Sequence, residues 1–257
     1  MCTNYTPTAR DRFKAAQLRV LHLPQSEWPS EVYPGYEAPI VVRSAPLATS
    51  NAVAAENQVT LARFGLIPRW VRDRAHAKAV AKGTYNARSE TVSNKPSFRG
   101  AWRDHQWALV PMESYFDPCW ETGQAVRWRI ARADGAPMAC AGVWERWRDP
   151  AGNDVVASFS LLTINSDHHP LTRRMHRVRD EKRMPVIVNP ADFDAWLNAR
   201  SQDAMALIHG SAEIELVGEP APKALKPRLG AAAKTPGKSA VTKPPKMPVP
   251  TTGDLFQ

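Results

Sequence analysis

No apolar run in this chain approaches the roughly 18 residues that a membrane-crossing helix requires. The opening MCTNYTPTARDRFK has no hydrophobic signal core either, so neither a membrane span nor export is expected, and the expected compartment is the cytoplasm. Cysteine is scarce. Cys2, Cys119 and Cys140 are an odd number with no CxxC spacing, which argues against a disulfide framework and a structural zinc site and leaves each cysteine as a thiol. The adjacent His168 and His169 cannot both face one ion from a strand or a helix, and no metal or other cofactor is expected. Helical periodicity is also sparse, confined to residues 11–23 and to residues 190–200, where Asn189 to Asp192 offer a cap, a first-turn proline and an early acid. No internal repeat is present.

What the sequence has in quantity is short strand-like runs. APIVVRS, QVTLARFGLI, HQWALVPM, VRWRIARA, PMACAGVWERW, VVASFSLLTIN and MPVIV follow one another, separated by Pro, Gly, Asn and Asp turns. Apolar residues at 43% and charged residues at 23% of 257 are ordinary for a globular chain that buries a core of its own. The fold class expected is α+β and strand-rich, with antiparallel sheets forming a barrel or sandwich and a few flanking helices.

Charge is uneven. The net +9 comes from 34 basic against 25 acidic residues, and seven of the cations, from Lys223 to Lys246, lie in the last 39 residues against Glu219 and Asp254. That segment therefore holds +5 of the +9, and eight of its residues are proline. Such a composition cannot bury enough apolar surface to offset the entropy of ordering it. The expected division is a folded domain over residues 2–218 and a basic, disordered tail over residues 219–257. A basic excess of this kind fits either a solvated surface or contact with a polyanion such as nucleic acid.

Removal of Met1 would leave Cys2 with an α-amine and a thiol on adjacent carbons. The amine, with a reference pKa near ~7.7–8.0 against ~10.4 for lysine, is roughly one-tenth neutral at pH 7 and is a ready nucleophile toward aldehydes. After imine formation the neighbouring thiol closes a five-membered thiazolidine, which no internal cysteine can do. A cysteine at this position is otherwise without consequence. In the polar segment 83–91, Arg88 suits bidentate phosphate binding and Asn86 offers both a donor and an acceptor; a capped loop is the alternative. The run 111–118 brings Glu113 and Asp117 near aromatic rings, an environment suited to acid–base work. His176 stands in a cationic loop ahead of Arg183-Met184-Pro185, placed either to shuttle protons near phosphate or as an inert loop residue.

In order along residues 2 to 218, these segments resemble the SOS response-associated peptidase (SRAP) family, whose members shield abasic sites in single-stranded DNA. The resemblance rests on Met1-Cys2, the run from Phe64-Gly65 to Trp70, Asn86-Ala87-Arg88-Ser89-Glu90-Thr91, Lys95-Pro96-Ser97-Phe98-Arg99 and Leu109-Val110-Pro111. It continues through Tyr115-Phe116-Asp117, Ala141-Gly142-Val143-Trp144-Glu145, and His176 ahead of Arg183-Met184-Pro185. The resemblance implies that Cys2 is the nucleophile, Asn86 orients the substrate, Arg88 binds phosphate and His176 moves protons. The family's catalytic glutamate falls on Asp117, shorter by one methylene, with Pro118 where the family has tryptophan; Glu113 and Glu121 are the alternative acids. Thr3 and Asn4 replace the Gly-Arg that follows the cysteine in many members, and extra residues lie between His176 and Arg183.

The implied activity is abasic-site processing. Cys2 captures the ring-opened sugar aldehyde as a covalent DNA–protein crosslink, lyase-like chemistry that shields the site. The alternative is a cysteine-type peptidase, a hydrolase acting at least on its own Met1. The expected partner is single-stranded DNA bearing an abasic site, met in the cytoplasm at the nucleoid. Recognition would use phosphates and stacking, with Trp70 and Trp102 as platforms unless either is core. Leu255 and Phe256, near the end of the tail, resemble the Asp-Leu-Phe ending of peptides that dock replication sliding clamps.

Overall fold

The computed structural model describes residues 3–20, 22–43, 57–152, 154–208 and 214–223. Its strands are β1 (Asn4–Pro7), β2 (Glu37–Arg43), β3 (Asn57–Phe64), β4 (Asn86–Arg88), β5 (Trp107–Cys119), β6 (Val126–Arg132), β7 (Met138–Arg148), β8 (Val155–Asn165), β9 (Arg183–Pro185), β10 (Ile187–Val188) and β11 (Leu216–Pro220). The helices are α1 (Arg74–Ala81), α2 (Arg99–Arg103), α3 (Phe193–Asn198) and α4 (Ser201–Leu207).

Five strands close on themselves. β2 pairs with β3, β3 with β8, β8 with β7, β7 with β5, and β5 returns to β2 at Val41↔Leu109. Closure removes the exposed edges that a sheet of such apolar strands would otherwise present for aggregation. It also explains why β2 and most of β7 are buried at consecutive positions: both faces are covered. Alternate residues serve two cores. Ile40, Val42, Ala108, Val110 and Phe159 pack with Phe64 and Tyr115, while Val41, Trp107, Leu109 and Val143 pack under α2 and α3. In the second core Trp102, Trp107 and Trp196 touch in series, with ring centroids 4.7 and 5.2 Å apart. Indole N–H groups of Trp107 and Trp196 donate to the carbonyls of Ala199 and Ala108, at 2.7 and 2.9 Å, which fixes α3 to the barrel. Cys140 lies fully within the first core, where burial pushes its thiol pKa far up and leaves it inert.

β5 is longer than the barrel needs. Its first half completes the ring; its second half, Tyr115 to Pro118, runs on to pair with β6, while β1 pairs along its other side. β4 and β9 pair with the far end of β8. The strand-rich α+β barrel expected from the sequence is present, and the sheet is mixed: β3 and β4 both run parallel to β8.

Two expected boundaries are corrected. Among the described residues of the 11–23 segment helix is limited to a single 3-10 turn at Arg10–Arg12, because Gln17 and Arg19 adopt φ of 57° and 47°, and Phe13, Ala16 and Leu18 dock singly in the core. The folded body does not stop at residue 218. β11 pairs with β6 through Glu219↔Arg129 and Pro220↔Trp128, and Ala221 exchanges hydrogen bonds with Arg127, so the outermost strand of the β5–β6–β11 extension absorbs the start of the expected tail.

Gly65 shows why the Phe-Gly motif carries glycine. Its φ is +117°, and a Cβ there would lie 2.5 Å from the carbonyl oxygen of Ala81 at the end of α1. Gly65→Ala is expected to lose about 2 kcal/mol or more in denaturant unfolding, from left-handed strain together with the clash. An unchanged midpoint would show that α1 shifts freely.

Candidate active site

The outer half of β5 carries Asp117, whose carboxyl is completely buried although two residues beyond it the strand ends. Sheet pairing holds it from both sides: Trp128 of β6 stands opposite, and Asn4 of β1 stands opposite the preceding Phe116. His176 reaches the same place from the loop after β8. Its Nε2 is 3.6 Å from Asp117 Oδ1, and its side chain is 13% exposed. The backbone at His176 is left-handed, with φ of 61°, a conformation that a non-glycine residue keeps only when its surroundings fix it. They do so here: His176 N–H donates to Pro118 O at 2.7 Å, and Lys182 Nζ donates to His176 O at 3.1 Å and also to Arg177 O.

Asn86 and Arg88 lie on β4, opposite Leu161 and Thr163 of β8. An aromatic chain connects this strand to the N-terminal one: the ring of Tyr5 meets Phe64 edge-on at 5.6 Å, and Phe64 meets Tyr85 at 5.8 Å. The three consecutive residues Glu181, Lys182 and Arg183 supply the polar connection. Glu181 pairs with Arg88 at 2.7 Å, Lys182 holds the His176 loop, and Arg183, 1% exposed, binds Glu90 through both oxygens at 2.8 and 3.2 Å. Arg183 also donates to the hydroxyl and carbonyl of Thr163. Partial burial raises the pKa of Glu90, but Arg183 outweighs it and holds the carboxyl below its usual range.

Neither alternative acid is available to the histidine. Glu113 is paired with Arg12 at 3.1 Å, and Glu121 is gripped by Arg174 through two contacts of 2.8 and 2.7 Å that lower its pKa. Of the three candidates, Asp117 is the one that meets His176. Asn4 is turned inward, hydrogen-bonded to Glu31, which in turn binds Tyr33 and Arg127. The Asn4 amide thereby locks β1.

Trp70 is 48% exposed, its indole N–H anchored on Pro96 O at 3.1 Å and its ring 5.6 Å from that of His76. Trp102 is corrected: at 4% exposure and packed edge-on against Trp107, it is a core residue and offers no stacking surface. Cys2, Leu255 and Phe256 lie outside the described residues. Glu181 and Lys182 were not singled out in the sequence; the charged Asp-Glu-Lys run directly before the Arg-Met-Pro motif was the available signal.

A closed barrel thus sets a buried carboxylate against an imidazole beside β1, the first strand among the described residues. The chain belongs to the SOS response associated peptidase (SRAP) family, whose model matches residues 1–224. It is similar to the abasic site processing protein YoqW of Bacillus subtilis (strain 168), 28% identical over 184 residues that cover 70% of this chain and 72% of YoqW. It is also similar to the abasic site processing protein HMCES of Pongo abelii, 24% identical over 196 residues that cover 64% of this chain and 52% of that one. A crystal structure of a protein from Bordetella bronchiseptica superposes with a TM-score of 0.74 at 32% identity, covering 86% of this chain and all of the other.

Proposed function

We propose that this protein binds abasic sites in single-stranded DNA and captures the sugar aldehyde covalently through Cys2 after Met1 has been hydrolysed away. The α-amine of Cys2 adds to the aldehyde and the adduct loses one water, giving an imine. The thiol then adds across the C=N bond, its proton passing to nitrogen, and the thiazolidine is complete. The observation that carries this reading is the register of β1. Asn4 is paired opposite Phe116, next to the contact between Asp117 and His176. Cys2 precedes Asn4 by two residues, and two residues of extended chain span at most about 7 Å. Asp117 and His176 serve sugar ring opening and the proton transfers of imine formation. Asn86 holds a sugar hydroxyl, Arg88 a phosphate, and Trp70 a neighbouring base.

The test is a denaturing gel after incubation with an abasic single-stranded oligonucleotide. A heat-stable, DNA-dependent shift is expected with the abasic strand and none with the intact strand; no shift with either would refute the covalent reading.

The Arg88–Glu181 pair adds a signed expectation. With 52% and 37% of their side chains exposed, the two groups are screened, and such a pair is worth about 0.2–1 kcal/mol. Glu181 occupies the guanidinium that the phosphate needs. Glu181→Gln is therefore expected to tighten single-strand binding about two- to fivefold, read by fluorescence anisotropy; weaker binding would show that Glu181 positions Arg88 rather than competing for it.

A further inference from the structure

Beyond His176 the chain makes a short loop whose backbone is unusually well held for a surface turn. In addition to the Lys182 contacts, Asp180 N–H donates to Arg177 O at 2.9 Å, Asp180 Oδ2 accepts from Arg177 N–H at 3.3 Å, and the Arg177 guanidinium lies over Trp120 at 4.6 Å from the ring centre. At the tip, Val178 is 92% exposed. Arg179 follows it, and Arg173 precedes the histidine; like Arg177, both are exposed. Among the described residues none of these three arginines forms an ion pair, whereas Arg88, Arg174 and Arg183 around the same site are all matched with carboxylates. Across from the loop, Trp120 and Trp128 line the end of the β5–β6 hairpin, the latter under Arg174 at 4.8 Å.

Uncompensated cations on a fixed backbone, an apolar tip and partly exposed indoles together match one chemistry. Phosphates neutralise the arginines while unstacked bases cover the apolar surface. An acidic peptide would use the charges and leave Val178 and Trp120 without a counterpart. We infer that the loop from His176 to Asp180, with Trp120, is a second contact surface for single-stranded nucleic acid, taking the strand that flanks the abasic nucleotide on the side of the Asp117–His176 pair. The inference rests on the abasic-DNA reading and extends it: Arg88 and Trp70 bind close to the lesion, and this loop lengthens the footprint.

The probe is single-stranded DNA with a central tetrahydrofuran, an abasic analogue with no aldehyde, in lengths of about 5 and about 15 nucleotides, spanning the usual range of single-strand site sizes. With the full-length protein, Arg177→Ala combined with Arg179→Ala is expected to weaken binding of the longer strand about tenfold. It should also reduce the log-log salt slope by about 0.7 for each phosphate that is no longer neutralised, with the weakening confined to the longer strand. Because Arg177 packs on Trp120, Arg179→Ala alone serves as the variant that disturbs no packing, and it should show a smaller weakening of the same kind. Equal weakening on both lengths, or none on either, would overturn the inference. The abasic-DNA reading fails separately, if the wild type does not prefer the analogue over an intact strand of the same length.

Discussion

Cys2→Ser, or a short extension ahead of Cys2 that turns its α-amine into an amide, is expected to abolish the heat-stable DNA adduct while thermal unfolding stays at the wild-type temperature. The chemistry requires two nucleophiles on adjacent carbons. Serine keeps the amine but closes an oxazolidine that does not persist, and an amide nitrogen has no lone pair available for attack on the aldehyde. Neither change touches what anchors the N-terminal strand. Tyr5 remains in the core against Phe64, and Asn4 remains bound to Glu31, so fold and single-strand affinity should survive. Undiminished adduct from the extended protein, read on a denaturing gel, would remove the N-terminal amine from the mechanism.

The second large effect is expected at Asp117. Asp117→Asn is nearly isosteric and keeps the β5 pairings, yet an amide neither accepts nor delivers a proton at neutral pH. Single-turnover crosslinking should slow by about 10- to 100-fold, within the range that general acid–base catalysis supplies. The longer acid points the other way. The 3.6 Å gap between Asp117 Oδ1 and His176 Nε2 exceeds a hydrogen bond, and one more methylene, about 1.5 Å, would close it. Asp117→Glu should therefore crosslink at least as fast as the wild type, with a stability loss of about 1–3 kcal/mol from overpacking a fully buried position. If Asp117→Asn matched the wild type while Glu113→Gln were inactive, the assignment of the acid would be wrong.

Much of the barrel was legible because its strands alternate between two apolar faces: Ile40 and Val42 belong to one core and Val41 to the other, and a period of two survives in sequence. β1, β4 and β11 were not, since none is longer than five residues and each has its conformation imposed by a longer partner. Segment 83–91 read as a polar turn, and its middle, Asn86–Arg88, is a strand only because β8 offers an open parallel edge. The candidate site divides in the same way. Asp117, His176, Asn86 and Arg88 announced themselves through motif order. Trp102 misled, because indole is equally suited to a core and to a stacking platform, and only burial decides between them. The Glu181-Lys182-Arg183 run was opaque: Glu181 pairs with Arg88 and with Arg183, Lys182 holds the His176 loop and Arg183 binds Glu90, relations with no signature along the chain.

The central claim is that the covalent bond to DNA is made by the first residue of the processed chain, and peptide mapping of the purified adduct by mass spectrometry tests it most directly. The account predicts a single modified peptide that begins at Cys2, lacks Met1, and carries the sugar remnant through both nitrogen and sulfur, so that its thiol no longer alkylates. A remnant attached to a lysine, or to a peptide that still begins with Met1, would contradict it.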